Sequence, residues 1–267
     1  MNKLSFFKKN YHVKNGLRKK KFKKPLISLI TVVFNGEKYL QETIDSINKQ
    51  KFKNYEYIIV DGKSSDNTIK IIKKNLSKID LWVSDKDKGI YDAFNKGMNL
   101  ASGDYICIIN SDDKFTLNAL SIINKYIKRY PQLDFIFGSV KKHWGILHGY
   151  KPKKIKYSWG FYSSHSTGFF IKRTSAEKVG NYNLKYKYHA DYDYFYRVIV
   201  KNKMQGIATK KNEVTGIFRR GGFSSKIHFR KLFFEEIKIR YNNGQNLILI
   251  AIIFIYKFLV HFKKIIK

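Results

Sequence analysis

The stretch ICIINSDDKF, from Ile106 to Phe115, places two adjacent carboxylates directly after an almost wholly apolar run. A short apolar run that ends in polar residues is typical of a parallel strand buried on both faces of a sheet. Ligands of open parallel sheets bind beyond the carboxyl ends of the strands. The stretch therefore predicts an α/β fold with Asp112 and Asp113 at its ligand-binding edge.

The alternation of short apolar runs and helical periods extends on both sides of this strand. Strands are predicted near Leu26–Val33, Tyr55–Val60, Leu81–Ser84, Tyr105–Ile109, Phe135–Ser139, Ser166–Ile171 and Glu213–Phe218. Helices are predicted near Tyr39–Lys49, Asn67–Leu76, Ile90–Leu100, Asn118–Tyr130, Asp191–Lys201 and Phe229–Tyr241. The segment from His143 to Ser158 predicts a loop or a small hairpin over the sheet. We expect a basic arm at 1–24, one α/β domain at 25–225 and a helical segment at 226–267.

The charge of the chain restricts its partners. Its 267 residues include 53 Lys and Arg but only 20 Asp and Glu, so the formal net charge is +33. This excess favours polyanions: nucleic acid, anionic lipid or phosphate-bearing small molecules. A genome with biased base composition is the alternative source of the excess. A hydrophobic fraction of 43% fills a sizeable core and excludes a disordered chain.

The two ends of the sequence differ. The first 24 residues contain ten basic residues, no acid and no apolar core of a signal peptide. The stretch LILIAIIFIYKFLV, from Leu247 to Val260, is apolar except for Lys257 and is followed by HFKKIIK. Because a spanning helix needs about 20 such residues, this pattern predicts an interfacial helix with cationic flanks. A terminal helix packed on the domain is the alternative.

Polar residues follow three of the predicted strands. The first strand contains Thr31 and runs into FNGE, the second ends at Asp61, and the fourth ends in NSDD. Each cluster alone could be a turn or a helix cap. At one sheet edge together, they predict a site in which a divalent cation lies between the carboxylates and a substrate diphosphate. The sequence has no Walker motif, no Gly-x-Gly-x-x-Gly after the first strand and no Cys/His cluster with zinc spacing.

Five motifs in order carry a resemblance to a known family. They are ISLITVVFNGEKYLQETIDSI, YEYIIVDGKSSDNT, SDKDKGIYDAFNKGMNLASGDYICIINSDD, SSHSTGFF and HADYDYFYR. Over roughly residues 25 to 225 the chain resembles family-2 glycosyltransferases with a GT-A fold, in particular bacterial enzymes that build surface polysaccharides on lipid carriers. The resemblance implies a mostly parallel nucleotide-binding sheet flanked by helices, with amphipathic or apolar helices at the C-terminus.

The resemblance also implies how the donor is bound. The nucleotide would contact Thr31, Val33 and Asn35, and its base, usually uracil, would bond Asp61. Asn110-Ser111-Asp112 matches the Asp-x-Asp signature with asparagine in its first position. Asp112 would then bind Mg²⁺ or Mn²⁺, while Asp113 shares that task or contacts the ribose.

Other matched positions would contact the sugar, the acceptor or the leaving group. Gly89, Asp92 and Asn95 lie in the segment that crosses the nucleotide and donor sugar, and helix capping and solvation are the alternatives for the last two. Asp191 matches the general base, with Ala190 in place of an acidic neighbour. Asp193 is the competing candidate, but the two side chains point to different sides of a helix. His165 would lie near the acceptor or donor phosphate, and Arg219 would offset the charge of the leaving diphosphate.

The sequence thus predicts an inverting, metal-dependent hexosyl- or N-acetylhexosaminyltransferase. Its donor would be a nucleotide sugar, with uridine diphosphate as the expected carrier, and its acceptor a lipid-linked glycan at the cytoplasmic face of the membrane. Basic termini would contact anionic lipid there. The alternatives are a nucleic-acid-binding basic protein, for which no recognition motif is visible, a nucleotidyltransferase and a non-catalytic family member. We expect no nucleic-acid partner.

Overall fold

The computed structural model describes residues 24–157, 166–219, 221 and 227–266, the last residue for its backbone only. His165, residues 1–23 of the predicted basic arm and most of the Gly-Gly segment after Arg219 lie outside these residues.

A seven-stranded sheet forms the centre of the domain. Its strands are, in chain order, β1 (Ile27–Val33), β2 (Tyr55–Asp61), β3 (Leu81–Ser84), β4 (Tyr105–Asn110), β6 (Phe135–Phe137), β9 (Phe169–Lys172) and β10 (Gly206–Ala208). Their order in space is β10-β6-β9-β4-β1-β2-β3. Every pair is parallel except β4 with β9 and β6 with β9. The mostly parallel sheet predicted from the apolar runs is therefore present, and β1, β2 and β4 end at one edge.

A second, four-stranded sheet divides one predicted strand. It consists of β5 (Lys114–Phe115), β7 (Ser139–Lys142), β8 (Gly145–Leu147) and β11 (Val214–Ile217), in the order β5-β11-β7-β8. The strand predicted near Phe135–Ser139 is present only over Phe135–Phe137, as β6, because the chain leaves the first sheet at Gly138. A Cβ atom there would lie 2.1 Å from Thr215 Oγ1, so glycine permits the close approach of β11. β7 and β8 form an antiparallel hairpin that turns at His143 and Trp144, so the hairpin begins before the segment in which it was predicted.

Helices cover both faces of the main sheet. They are α1 (Leu40–Asn48), α2 (Thr68–Lys74), α3 (Ile90–Leu100), α4 (Ala119–Arg129), α5 (Lys154–Tyr157), α6 (Arg173–Val179) and α7 (Ala190–Tyr196). A π-helical turn, Arg197–Lys201, extends α7. Every residue of β1 is buried, with one apolar cluster on each side of the sheet. This two-sided burial explains the nearly continuous apolar strands.

Two helices end the chain. They are α8 (Phe229–Asn242) and α9 (Leu247–Ile266), joined through Gly244 at φ 73°. Non-helical backbone angles at His261 mark a kink near the end of α9. Within the described residues, none of the helices has the length and apolarity needed to cross a membrane.

Candidate active site

Asp61 lies at the tip of β2, completely buried. Its Oδ2 accepts hydrogen bonds from Ser84 Oγ at 2.6 Å and from Lys63 N at 3.1 Å. Ser64 donates to the same carboxylate from its hydroxyl, at 2.5 Å, and from its backbone N–H. These donors hold the loop after β2 at the sheet edge. Asp61 therefore shapes the predicted base pocket, and its contact with a nucleobase stays a prediction.

The loop after β1 is fastened to the loop after β2. Asn35, at φ 49°, donates its backbone N–H to Ser64 Oγ at 2.8 Å and accepts from Ser65 N at 2.9 Å. Val33 pairs with Asp61 and accepts a hydrogen bond from Gly62 N at 2.8 Å. Asparagine suits this position because it tolerates the left-handed region better than most residues. Asn35 and Val33 thus lie at the predicted nucleotide edge.

Thr31 lies in β1, two residues before the strand ends. It is fully buried inside the sheet, and its Oγ1 accepts a hydrogen bond of 3.1 Å from the Tyr57 hydroxyl. The contact of Thr31 with a nucleotide stays a prediction, and in this structure its side chain bonds Tyr57 inside the sheet.

The two carboxylates after β4 have different surroundings. Asp113 is fully buried, and it accepts hydrogen bonds from Thr167 Oγ1 at 2.6 Å and from Arg219 N at 3.2 Å. Burial raises the pKa of Asp113 to about 7, although the Thr167 bond opposes the shift. Asp112 is only partly buried, and burial raises its pKa as well. Asp113 is thus fixed inward, and Asp112 is the carboxylate nearer to solvent.

Asn110 and Ser111 complete the tip of β4. Thr43 Oγ1 contacts both Ser111 O at 2.9 Å and Asp113 O at 2.7 Å, which fixes the turn against α1. Asn110 Nδ2 lies 3.4 Å from both Asp113 Oδ2 and Ser166 Oγ. Its Oδ1 is buried without a hydrogen-bond partner among the described residues. A buried polar atom of this kind is costly unless a ligand or water satisfies it.

Arg219 joins β11 to this tip. Its Nε donates to Asp112 O at 3.2 Å, and its guanidinium donates to Glu42 Oε2 at 2.8 Å. The guanidinium also lies over the Tyr39 ring, 3.9 Å from the centroid. Arg219 therefore stands beside the proposed metal ligand, held on two sides, where a cation can offset diphosphate charge.

The segment predicted to cross the donor enters α3. Gly89 precedes the helix at φ 115°, a backbone angle that favours glycine. Asp92 Oδ2 accepts a hydrogen bond of 3.0 Å from Lys88 N, which supports the capping interpretation. Asn95 is buried, and both ends of its amide bond the backbone of Tyr182, at 2.7 and 2.9 Å. The contact of Asn95 with a sugar stays a prediction, and in this structure its amide fastens the loop before α7.

The structure separates the two candidate bases. Asp193 is buried and bonded to Arg197 Nε at 2.8 Å and to Asn243 Nδ2 at 2.9 Å. Asp191 is partly exposed in the first turn of α7, and its Oδ1 accepts a hydrogen bond of 3.2 Å from the Tyr91 hydroxyl. Tyr91 and Asp92 both lie in the first turn of α3. Asp191 therefore lies next to the predicted donor segment, while Asp193 supports the fold.

Sequence reasoning missed a buried ion pair beneath this segment. Lys96 donates to Asp87 Oδ1, and Asp92 Oδ2 lies 3.6 Å from the same ammonium. A Cβ atom on Gly62 would lie 2.7 Å from Asp87 Oδ2, so the pair is adjacent to the loop after Asp61. Burial raises the pKa of Asp87 despite the Lys96 bond. The spacing of Asp92 and Lys96 by four residues was the available signal.

The donor set at the β4 tip fits a hard divalent cation held with help from its substrate. Among the described residues, no three His, Cys, Asp or Glu side chains cluster as metal ligands. Mg²⁺ in nucleotide enzymes is held by one or two carboxylates plus substrate phosphates, so such a cluster is not required. Asp112 offers one carboxylate, and the orphaned Asn110 Oδ1 offers a second hard oxygen. Asp113 is already bonded inward, so Asp112 is the carboxylate of this pair that is open to a cation.

The sequence matches the family model described as glycosyl transferase family 2 over residues 28–189, well over half of the chain. The chain belongs to this family. The matched region extends from β1 to the residues before α7 and includes both carboxylate sites of the main sheet. Family 2 membership makes the protein a glycosyltransferase, as the motifs predicted.

A family 2 relative from Mycobacterium bovis, a PGL/p-HBAD biosynthesis glycosyltransferase, is 26% identical over 242 residues, covering 85% of this chain and 90% of its own. Among solved structures, S. aureus TarS 1-349 in complex with UDP-GlcNAc superimposes with a TM-score of 0.64 at 17% identity, covering 80% of this chain and 65% of that one. The mannosyltransferase PcManGT from Pyrobaculum calidifontis, in complex with GDP-Man and Mn²⁺, gives a TM-score of 0.62 at 16% identity, covering 91% and 70%. The chain spans less than two thirds of the TarS polypeptide. These neighbours confirm the GT-A fold.

Proposed function

We propose that this family 2 enzyme transfers a hexosyl or N-acetylhexosaminyl group, with inversion, from a uridine diphosphate sugar to a hydroxyl of a lipid-linked glycan in surface polysaccharide synthesis. The observation that carries the proposal is the division between Asp191 and Asp193. One carboxylate stands partly exposed beside the donor segment, while the other is locked in the core. Inverting transfer needs one such base on the acceptor side.

The chain's own residues divide the remaining work. The loops fastened around Asp61 and Asn35 would hold the nucleotide at the carboxyl edge of the sheet. Arg219 would balance the charge of the leaving diphosphate. Asp191 would take the proton from the attacking hydroxyl as the bond to the anomeric carbon forms.

Asp112, together with the Asn110 Oδ1 atom at the same strand end, would hold Mg²⁺ or Mn²⁺ against the diphosphate. When bound, the metal would stabilise the negative charge that develops on the leaving group. TarS and PcManGT have been solved with a uridine and a guanosine donor respectively, and the latter with Mn²⁺. Both donor classes therefore belong in a test.

The test is a donor panel. The purified chain is incubated with uridine, guanosine and thymidine diphosphate sugars, with Mn²⁺ or with excess chelator, and release of the nucleoside diphosphate is measured. We expect turnover of a uridine donor that depends on added metal. Turnover of a guanosine donor alone would show that the donor nucleotide is guanosine diphosphate and not uridine diphosphate. Absence of turnover with every donor would support a non-catalytic family member.

A further inference from the structure

The side of α9 that faces away from the domain is an apolar stripe. We call it the outer face, and its exposed residues are Leu247, Ile248, Ala251, Ile252, Ile255, Tyr256, Leu259 and Val260. They recur as adjacent pairs every four residues, which places them on one side of a helix. Leu259 is 68% exposed and Ile248 is 71% exposed. The outer face therefore presents large aliphatic side chains along most of the helix.

The side of α9 that is turned toward the domain is also apolar, with Ile250 and Ile253 buried, apart from one charged residue. Lys257, the one charged residue between Leu247 and Val260, is buried and donates to Glu236 Oε2 of α8. Arg240 bonds the other oxygen of Glu236. A surface helix of a globular protein usually places its apolar side inward and its charges outward. α9 departs from this pattern, because its outward side is apolar and the one charge between Leu247 and Val260 is buried in an ion cluster.

The exposed charges of the two C-terminal helices are all positive within the described side chains. They belong to Arg230, Lys231, Lys238, Lys263 and Lys264. The two acids of this segment, Glu235 and Glu236, bond backbone N–H groups and buried cations of the domain. Lys263 and Lys264 continue the paired spacing of the outer face, and an apolar stripe that ends in cations is complementary to a negatively charged lipid surface.

We propose that the outer face of α9 docks on an anionic lipid bilayer, with the helix lying in the interface and Lys263 and Lys264 contacting lipid phosphates. A second copy of the chain is the poorer occupant, because each copy has a formal charge of +33 and two such chains would repel each other. The outer face is the surface through which the membrane association predicted from the sequence would occur. Docking goes beyond the proposed function, since it needs neither donor nor acceptor.

Vesicle flotation of the full chain tests the proposal without a substrate. Vesicles of phosphatidylglycerol mixed with phosphatidylcholine are compared with vesicles of phosphatidylcholine alone. Ile252→Asn combined with Ile255→Asn should weaken partition onto anionic vesicles at least about tenfold. The matched control combines Leu117→Asn with Leu184→Asn, which changes exposed leucines 54% and 42% accessible elsewhere on the domain. The control should bind like the unchanged protein.

Separate variants test the electrostatic contribution to docking. Lys263→Gln and Lys264→Gln should each weaken binding about fivefold, and about 1 M salt should reduce the preference for anionic vesicles. Thermal melting checks that every variant is folded. Failure of the unchanged chain to float, or flotation unaffected by the double isoleucine change, would overturn the proposal. Light scattering that shows a dimer dispersed by that same change would overturn it in favour of a second copy.

Discussion

The Glu235 carboxylate on α8 accepts a hydrogen bond of 2.8 Å from the backbone N–H of His189, two residues before Asp191. It also accepts the N–H groups of Lys187 and Tyr188, at 2.7 Å each. Three donors that converge on one carboxylate fix the course of the chain into α7. The C-terminal helices therefore brace the segment that carries the proposed base.

Replacing Glu235 should reduce catalysis through this bracing. Glu235→Ala leaves the three N–H groups to water and loosens the approach to Asp191, so we expect kcat to fall about tenfold or more. Donor affinity, measured by calorimetry, should stay unchanged, because these bonds of Glu235 go to Lys187, Tyr188 and His189 and not to the loops after β1 and β2. Glu235→Gln keeps one acceptor oxygen and should recover part of the rate.

Glu177→Ala is the matched control. It removes the ion pair between Glu177 and Arg173 within α6, and it removes no bond to the segment before α7. Its kcat should equal that of the unchanged protein. A positioning role for Glu235 would be contradicted if Glu235→Ala kept full kcat, or if donor affinity and kcat fell together.

The two carboxylates after β4 should respond differently to metal. We expect uridine diphosphate to bind the unchanged protein at least about tenfold more tightly with Mn²⁺ than with chelator. Asp112→Ala should abolish that gain, since it removes the carboxylate nearer to solvent. Asp113→Asn should retain it, because Asp113 bonds Thr167 and Arg219 N inward. Calorimetry with and without Mn²⁺ measures both, and loss of the gain in Asp113→Asn alone would reverse the assignment.

The cluster that holds α9 should weaken in acid. Burial raises the pKa of Glu236, but the charges of Lys257 and Arg240 outweigh it and hold the pKa below its usual value of 4.5. A lowered carboxyl pKa contributes stability that is complete above about pH 4.5 and is lost as pH falls through the folded pKa. The melting temperature should decline in that range. Glu236→Gln should melt lower than the unchanged protein at neutral pH, and the difference should shrink in acid.

Lys257→Met extends this test. Removing one cation should raise the pKa of Glu236, so the acid loss should begin at a higher pH than in the unchanged protein. We expect a cost of about 1–3 kcal/mol in the free energy of unfolding at neutral pH. Identical pH profiles for the two proteins would show that the Lys257 contact contributes nothing.

Much of the main sheet could be predicted because its signal is local. Two-sided burial makes β1, β2 and β4 apolar runs, and polar residues after each run marked the site edge. The division at Gly138 could not be predicted, because it depends on the approach of Thr215 from β11, 77 positions later in the chain. Sequence periodicity reports on residues that are close together in the chain, and not on contacts between residues that are far apart in it.

The candidate site shows the same limit. The family resemblance favoured Asp191, and helical geometry allowed only one of Asp191 and Asp193 to face the cleft. The buried bonds of Asp193 agree with this preference. The inward positions of Thr31 and Asn95 did not follow, since motif matching says nothing about depth in the core. Glu235 was missed because its partners lie 46 to 48 residues away in the chain.

Steady-state transfer by Asp191→Asn and Asp193→Asn, measured side by side with the donor that the panel identifies, tests the central claim most directly. Asp191→Asn should lower kcat by about 10²- to 10⁴-fold with unchanged melting temperature and donor affinity. Asp193→Asn should lose about 1–3 kcal/mol of folding stability and keep most of its kcat below its melting range. Full activity in folded Asp191→Asn, or a selective loss of kcat in Asp193→Asn, would contradict the account.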